Sequence, residues 1–307
     1  MISPLRTEAL TKRFRSVEAL RQVSLEVPEG AVFALVGSNG AGKSTLLKTV
    51  LNIEQPTSGR AEVLGVDSRS IGPRHLAAIG YVSENQRLPG WMKTGYFLSY
   101  CSRFYPDWRG TELDELVRLY QLPLDRKLSE LSRGMRLKTM MAAALAHRPR
   151  LILLDEPFSG LDVLVREQLI ESLLEGTPEC SVLLASHDLP EIESFASHVA
   201  YLSEGRLEFC EEMDSLTGRF REVEVTLDEP ARLPHGLPSH WLNAERSAVV
   251  VRFTDCRFDR DRTFAEVRSH LSGVLDVTER PMSLRAIGLA LARSKQPLGE
   301  VEVTLCR

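Results

Sequence analysis

The chain has 307 residues, 43% of them hydrophobic, which is enough to bury the core of one large domain or two. The formal net charge of -4 provides no basic excess of the kind that indicates a nucleic-acid partner. No stretch of about 18 apolar residues occurs, and the first residues form no apolar signal region, so we expect any membrane-spanning part to be a separate polypeptide.

The first two thirds of the chain predict a wound α/β core. Apolar and polar residues alternate over 23–27, and the nearly continuous apolar run 31–36 predicts a strand buried in a parallel sheet. Two more apolar runs of this type lie at 151–154 and 182–185. A helical pattern precedes the first of them, at 137–145. Strands that alternate with helices are typical of an α/β fold.

A long insertion lies before the second core strand. Residues from about 88 to 148 are mostly helical in pattern, with breaks at Pro106, Gly110 and Pro123, and they form a predicted helical subdomain. A hairpin is predicted at 199–210, where two apolar runs flank a Ser-Glu-Gly turn.

The character of the chain changes after about residue 218, where a small accessory domain is predicted. Strand patterns at 223–227 and 249–253 are separated by a proline-punctuated link. A strand at 274–278 then leads into a helix at about 283–292. The predicted domains are residues 1–218 and 219–307.

A glycine-rich loop follows the strand at 31–36 and matches the phosphate-loop pattern of Gly, four residues and Gly-Lys-Ser/Thr. Glycines let backbone amides converge on phosphate oxygens, and the helix after the loop points its positive end at the same anion. Lys43 would act on the β- and γ-phosphates as a catalytic cation, and Ser44 would offer its hydroxyl to Mg²⁺. The predicted nucleotide-binding residues of the loop are Gly37, Ser38, Asn39, Gly40, Ala41, Gly42, Lys43, Ser44 and Thr45.

The apolar run 151–154 ends in two acids, Asp155 and Glu156. Asp155 is predicted to reach Mg²⁺ directly or through water, and Glu156 is predicted to polarise the attacking water as a general base. The alternative interpretation is a strand that ends in solvated acids. The phosphate loop earlier in the chain favours the catalytic interpretation.

Three further segments separate this chain from other proteins with a phosphate loop. Leu131 to Met135 reads Leu-Ser-Arg-Gly-Met and resembles the ABC signature, which is usually Leu-Ser-Gly-Gly-Gln. Ser159 to Asp162 resembles the D-loop, and Ala185 to Asp188 resembles the switch-histidine segment. In this order and at this spacing, the motifs make residues 5–216 similar to the ATP-binding subunits of ABC transporters.

The resemblance implies a P-loop NTPase fold of the RecA-like α/β type, with an antiparallel β subdomain and a helical subdomain. The residues after 218 add a small C-terminal α+β accessory domain. The implied ligands are ATP and Mg²⁺. The implied partners are a second ATP-binding domain, in a homodimer or heterodimer arranged head to tail, and a separate transmembrane permease subunit.

The same resemblance implies roles for individual residues outside the loop. Ser132 and the Gly134 amide would bind the γ-phosphate held by the partner domain. His187 would sense that phosphate as a catalytic residue, and Asp162 would couple the two sites. Phe14 stands where the family stacks an aromatic ring on adenine, and an ordinary core phenylalanine is the alternative.

The sequence departs from the family pattern at three positions. Arg133 and Met135 replace a glycine and a glutamine of the signature, and Arg133 is expected to add positive charge near the partner's nucleotide or to point to water. Glu84 stands at the position of the Q-loop glutamine, where an acid can still hold Mg²⁺ through water. Exporters with this type of altered signature are familiar in the family, so the changes do not indicate inactivation.

Aromatic residues crowd the segment after Glu84. They are expected either to form a core for the helical subdomain or to line a groove for a short cytoplasmic helix of the membrane partner, and both interpretations stay open. The residues are Trp91, Tyr96, Phe97, Tyr100, Phe104, Tyr105 and Trp108.

The predicted function is ATP binding and hydrolysis in an ABC transporter of the export type, resembling the ATPases of bacterial multidrug, bacitracin-type and ABC-2-like exporters. Nucleotide-dependent dimer closure would drive the permease from the cytoplasm, with this chain peripheral on the inner face of the cell membrane. Scattered cysteines without C-x-x-C spacing fit a reducing cytosol. The alternatives are an importer ATPase, a non-transport ABC ATPase that acts on nucleic acid or ribosomes, and a regulatory module in which residues 218–307 bind a ligand.

Overall fold

The structure is a computed structural model, and it describes residues 3–294 apart from 177–179, 232 and 235. The described residues divide into two compact units, the first comprising 3–188 and 195–210 and the second comprising 189–194 and 211–294. The domain boundary expected from the sequence stays a prediction. Within the described residues, no helix is long and apolar enough to cross a membrane.

The first unit contains two sheets and the helices that pack on them. In chain order its strands are β1 (Leu5–Phe14), β2 (Val17–Val27), β3 (Val32–Val36), β4 (Ser58–Val63), β5 (Val66–Asp67), β6 (Ile79–Ser83), β7 (Leu151–Asp155), β8 (Ser181–Ser186), β9 (His198–Ser203) and β10 (Arg206–Glu212). Its helices are α1 (Lys43–Val50), α2 (Pro73–Leu76), α3 (Thr94–Cys101), α4 (Gly110–Tyr120), α5 (Arg133–Leu145) and α6 (Val163–Gly176).

The smaller sheet is antiparallel and runs in the order β2-β1-β4-β5. The larger sheet runs in the order β10-β9-β3-β8-β7-β6, and its strands from β9 to β6 are parallel. This arrangement confirms the expected α/β core with an antiparallel β subdomain. All five residues of β7 are buried, which explains why its sequence is an unbroken apolar run rather than an alternating one.

The register of the larger sheet brings four chain segments to one edge. Val36 is paired with Ser186, and Asp155 is paired with both Ala185 and Ser83. Because parallel strands end at the same edge, the segments that follow β3, β6, β7 and β8 leave the sheet side by side. This edge carries the candidate site.

The inserted helical segment is confirmed as helical. Helix α5 packs against α3 and α4, and buries Leu137, Met140 and Met141. Tyr120 at the end of α4 is 1% exposed, and its hydroxyl lies 2.5 Å from the Ser172 hydroxyl on α6. The insertion is therefore fixed by apolar packing and by one buried polar contact.

The second unit is an α+β fold with its own core. Its elements are α7 (Leu189–Glu193), α8 (Met213–Arg219), β11 (Arg221–Leu227), β12 (Trp241–Ser247), β13 (Val250–Asp255), α9 (Arg260–His270), β14 (Val274–Pro281) and α10 (Leu284–Arg293). The antiparallel sheet runs in the order β12-β13-β11-β14. Trp241 stacks on Phe253 with ring centroids 4.0 Å apart, in a core that includes Val223, Val225 and Val267.

Candidate active site

The glycine-rich loop connects the end of β3 to the start of α1. Gly42 has a φ of +111°, and a Cβ at this position would lie 2.4 Å from the Ala19 carbonyl oxygen. A Cβ on Gly37 would lie 2.2 Å from the Leu202 carbonyl oxygen. Only glycine fits at both positions, so the loop packs directly against neighbouring backbone and its shape is fixed by those contacts.

Lys43 is the first residue of α1 and is only 5% exposed. Its ammonium donates to the carbonyls of Gly37 at 2.7 Å and of Ser38 at 3.2 Å. It also lies 3.1 Å from the Glu156 carboxylate. The charge is therefore held inside the loop by its own backbone and by one carboxylate.

Glu156 follows β7 directly and has a strained backbone, with a φ of +52°. Its amide donates to the Ala185 carbonyl at 2.9 Å, which ties this strained turn to β8. Its carboxylate lies 2.7 Å from His187 Nδ1 and accepts a bond from the His187 amide at 3.3 Å. The structure therefore brings together the three residues that the sequence predicts as catalytic, with Glu156 between Lys43 and His187.

Asp155 and Ser44 form the second polar group of the site. The Ser44 hydroxyl donates to Asp155 Oδ1 at 2.7 Å, and Asp155 is 3% exposed. The Ser83 hydroxyl approaches the other carboxylate oxygen at 3.4 Å, a contact that the sequence did not suggest. Burial of the neighbouring Tyr81 raises the pKa of its phenol above the ordinary value.

The donor set at Ser44 and Asp155 fits Mg²⁺, because a hydroxyl and a carboxylate are both oxygen ligands of the kind this ion prefers. The described residues hold no group of three or more His, Cys, Asp or Glu side chains arranged to bind a metal. An ion at this position would therefore need phosphate and water oxygens to complete its shell.

The backbone of Glu84 is hydrogen-bonded next to the Ser44–Asp155 pair, but its side chain is bonded elsewhere. Its amide donates to the Asp155 carbonyl at 3.0 Å. Its carboxylate instead forms an ion pair with Arg133, and no hydrogen bond among the described residues joins it to Ser44 or to the Asp155 side chain. Arg133 thus contacts its own chain, while 45% of its side chain stays exposed.

Phe14, at the end of β1, is 41% exposed, so the alternative interpretation of it as a core residue is wrong. The Lys12 ammonium lies 4.6 Å from the centroid of its ring. The ring is therefore partly accessible from solvent, as stacking of an aromatic base such as adenine requires.

Ser132 and Gly134 lie at the start of α5 and do not join the loop in this chain. The Ser132 hydroxyl accepts a bond from the Met135 amide at 3.2 Å and caps the helix. A Cβ on Gly134 would lie 3.4 Å from Val165 on α6. None of the hydrogen bonds of Ser132 within the described residues goes to residues 37–45.

Comparison with known proteins gives one consistent result. A family model described as ABC transporter matches residues 20–159. The chain is 29% identical to the ABC transporter ATP-binding protein YtrB of Bacillus subtilis, over 73% of this chain and 77% of that protein. It is 33% identical to the Fe(3+) ions import ATP-binding protein FbpC of Pseudomonas fluorescens, over 77% of this chain and 71% of that protein.

Solved structures agree on the fold. The structure of an ATP-binding subunit of an ABC transporter matches with a TM-score of 0.65 and 26% identity, over 70% of this chain and 92% of that chain. A dimeric ATP-binding cassette in a post-hydrolysis state, bound to ADP and Pi, matches with a TM-score of 0.62 and 23% identity, over 68% of this chain and 98% of that chain.

Proposed function

This chain belongs to the ABC transporter ATP-binding proteins, and we propose that it uses Lys43, Asp155 and Glu156 to hydrolyse ATP and thereby drive a separate transmembrane permease. ATP binding and ATP hydrolysis are the activities of this family. The observation that supports the residue assignment best is the position of the Glu156 carboxylate, between the Lys43 ammonium and the His187 ring beside the glycine loop.

The contacts of Lys43 suggest how a bound nucleotide would free the Glu156 carboxylate to act as the general base. The loop carbonyls of Gly37 and Ser38 hold the ammonium in place. Phosphate oxygens on the loop would compete with Glu156 for this cation and release the carboxylate. The released Glu156 would accept a proton from the attacking water, with His187 within hydrogen-bond distance to orient it.

Ser44 and Asp155 are the proposed holders of Mg²⁺ in this site. The metal, when bound, would neutralise charge on the transferring phosphate. The part played by the chain is to keep the Ser44 hydroxyl 2.7 Å from a carboxylate oxygen of the buried Asp155.

Ser132 and Gly134 are proposed to act on the nucleotide of a second ATP-binding domain. They begin a helix of thirteen residues, whose amino end favours anions. Val163 and Leu164 at the nearby start of α6 are 60% and 73% exposed, so an apolar surface is available to a facing domain. The dimeric cassette named above, with ADP and Pi bound, supports such an arrangement.

The aromatic segment after Glu84 is proposed to contact the permease. Phe97 is buried in the helical subdomain, whereas Trp91, Tyr96, Tyr100 and Phe104 are 70%, 55%, 42% and 62% exposed. Exposed aromatic rings in this number favour a protein partner. A permease contact would place the chain on the cytoplasmic face of the membrane.

The direction of transport is proposed to be export, on the basis of the altered signature at Arg133 and Met135. Import is the second candidate, because a relative at 33% identity is named as an import protein. Co-purification of the permease from detergent followed by vesicle transport assays separates the two. Transport that depends on an external solute-binding protein would contradict export.

Nucleotide binding by purified Lys43→Ala tests the proposed function. We expect it to lose ATP affinity by at least about tenfold, because hydrogen bonds to a charged group contribute roughly 1.5–3 kcal/mol. Lys48→Ala, which removes an exposed lysine of the same helix, is the matched control and should bind normally. Unchanged affinity in Lys43→Ala would refute the site assignment.

A further inference from the structure

Arg133 makes a contact that no role proposed so far uses. Its guanidinium forms an ion pair with the Glu84 carboxylate, and the two side chains are 45% and 31% exposed. Arg133 is the first residue of α5, and Glu84 follows β6. The pair therefore links the start of the helix that carries Ser132 and Gly134 to the edge of the larger sheet.

The same guanidinium lies against a third segment. Gly160, between β7 and α6, has a φ of +66°, and a Cβ on it would lie 2.6 Å from Arg133 Nη1. Any larger residue at 160 would both strain the backbone and displace the arginine. The Arg133 guanidinium, at the start of α5, thus lies against both the segment that follows β6 and the segment that follows β7.

Two arginines lie near the Glu84 carboxylate, and among the described residues only Arg133 forms an ion pair with it. A cavity of about 250 Å³ beside it is lined by Glu84, Arg133, Arg136, Leu137, Met140 and Leu161, among others. Arg136 makes no ion pair with any residue that the structure describes. The fork of Arg133 matches a carboxylate in geometry, and this match explains why it holds Glu84.

We propose that Arg133 is a positioning residue that holds the Glu84 carboxylate away from the Ser44–Asp155 oxygen pair and so weakens divalent-cation binding at the nucleotide site. The inference rests on the proposed function, because it concerns the same site. Glu84 is anchored beside Asp155 by its own amide, so only its side chain needs to turn. When Arg133 releases it, the carboxylate adds negative charge next to those two oxygens.

A double-mutant cycle on cation binding tests this proposal. Arg133→Met keeps an unbranched side chain without charge, and Glu84→Gln keeps the shape of the acid. Binding of Mn²⁺ in the presence of ADP is measured by electron paramagnetic resonance, which needs no turnover. We expect Arg133→Met to bind Mn²⁺ about three- to tenfold more tightly, as one freed carboxylate near a cation implies.

If the proposal is right, the gain in Mn²⁺ affinity from Arg133→Met depends on the Glu84 carboxylate. In the double variant we expect the Mn²⁺ affinity to return to that of Glu84→Gln alone. Arg133→Lys keeps the charge without the planar fork, so it should weaken Mn²⁺ binding only in part compared with the wild-type arginine. Arg136→Met, one helical turn further along α5, is the matched control and should bind Mn²⁺ as the wild type does. Equal gains from Arg133→Met with and without Glu84, or no gain at all, would overturn the proposal.

A second measurement keeps this result separate from the proposed function. Chemical unfolding of the four proteins without nucleotide should show a coupling of about two- to fivefold in the unfolding equilibrium, reduced at 1 M salt, as expected for a half-exposed ion pair. Wild-type protein that binds no nucleotide would refute the proposed function. If the protein binds nucleotide but the effects of Arg133→Met and Glu84→Gln simply add, both in Mn²⁺ affinity and in unfolding free energy, only the role of Arg133 would be refuted.

Discussion

The phosphate-loop part of the site and the start of α5 are built in opposite ways. Lys43 and Asp155 are 5% and 3% exposed, and each has polar partners within its own chain. Ser132 lies at an exposed helix start and uses its hydroxyl only as a cap in the described structure. The first part is preorganised for phosphate, whereas the second presents donors to whatever faces it. On the proposed function, the site is complete only when a second ATP-binding domain supplies the exposed part.

The largest effect on turnover is expected from a substitution in the buried, phosphate-loop part of the site. Glu156→Gln removes the proposed base but keeps its shape, so turnover should fall about 10²–10⁴-fold, the range that a positioned general base contributes. ATP binding should persist, because the Lys43 ammonium and the loop amides remain. Steady-state phosphate release measures turnover, and filter binding measures ATP.

Glu167→Gln on α6 is the matched control, since this acid is exposed and does not belong to the segments that meet at the sheet edge. It should hydrolyse ATP at the wild-type rate. Normal turnover in Glu156→Gln would remove the base assignment and leave the neighbouring Asp155 or His187 to be tested.

A smaller effect is expected on the exposed part. Ser132→Ala removes one hydroxyl that is proposed to reach the partner's nucleotide, and we expect turnover to fall about tenfold, as loss of one hydrogen bond to a charged group implies. ATP affinity of the monomer should not change, because none of the hydrogen bonds of this hydroxyl among the described residues goes to residues 37–45. A loss of monomer affinity would show that the two parts are not separate.

The smallest effect concerns stability rather than catalysis. Tyr120→Phe removes a buried hydroxyl that lies 2.5 Å from Ser172, and it should lower the free energy of unfolding by about 1 kcal/mol. Tyr96→Phe removes a hydroxyl from a ring that is 55% exposed and should change it by less than about 0.5 kcal/mol. Urea denaturation compares the two, and equal losses would contradict the burial assigned to Tyr120.

The sequence predicted the buried part of the site better than the exposed part, because burial leaves a pattern in the sequence. A strand covered on both faces has to be apolar throughout, so β3, β7 and β8 were visible as unbroken runs. The roles of Lys43 and Glu156 were predicted from the motifs that follow these runs, and the role of His187 from the family resemblance. Their meeting at one edge of the sheet is a finding of the structure.

The missed elements lack such a signal. Strand β12 is mostly exposed after its first two residues and has an irregular register near Asn243, whose φ is +51°. Helix α9 has charged residues over most of its length and buries only Thr263 and Val267. The ion pair of Arg133 with Glu84 joins residues 49 positions apart, and only the tertiary structure brings them together.

Nucleotide-dependent association of Glu156→Gln tests the two-part site most directly. In analytical ultracentrifugation we expect ATP with Mg²⁺, but not ADP, to convert this variant from monomer to dimer. Adding Ser132→Glu, which places a carboxylate where the partner's phosphate is proposed to lie, should leave ATP bound and the protein monomeric. A Glu156→Gln protein that binds ATP and stays monomeric, or a dimer that survives Ser132→Glu, would contradict the account.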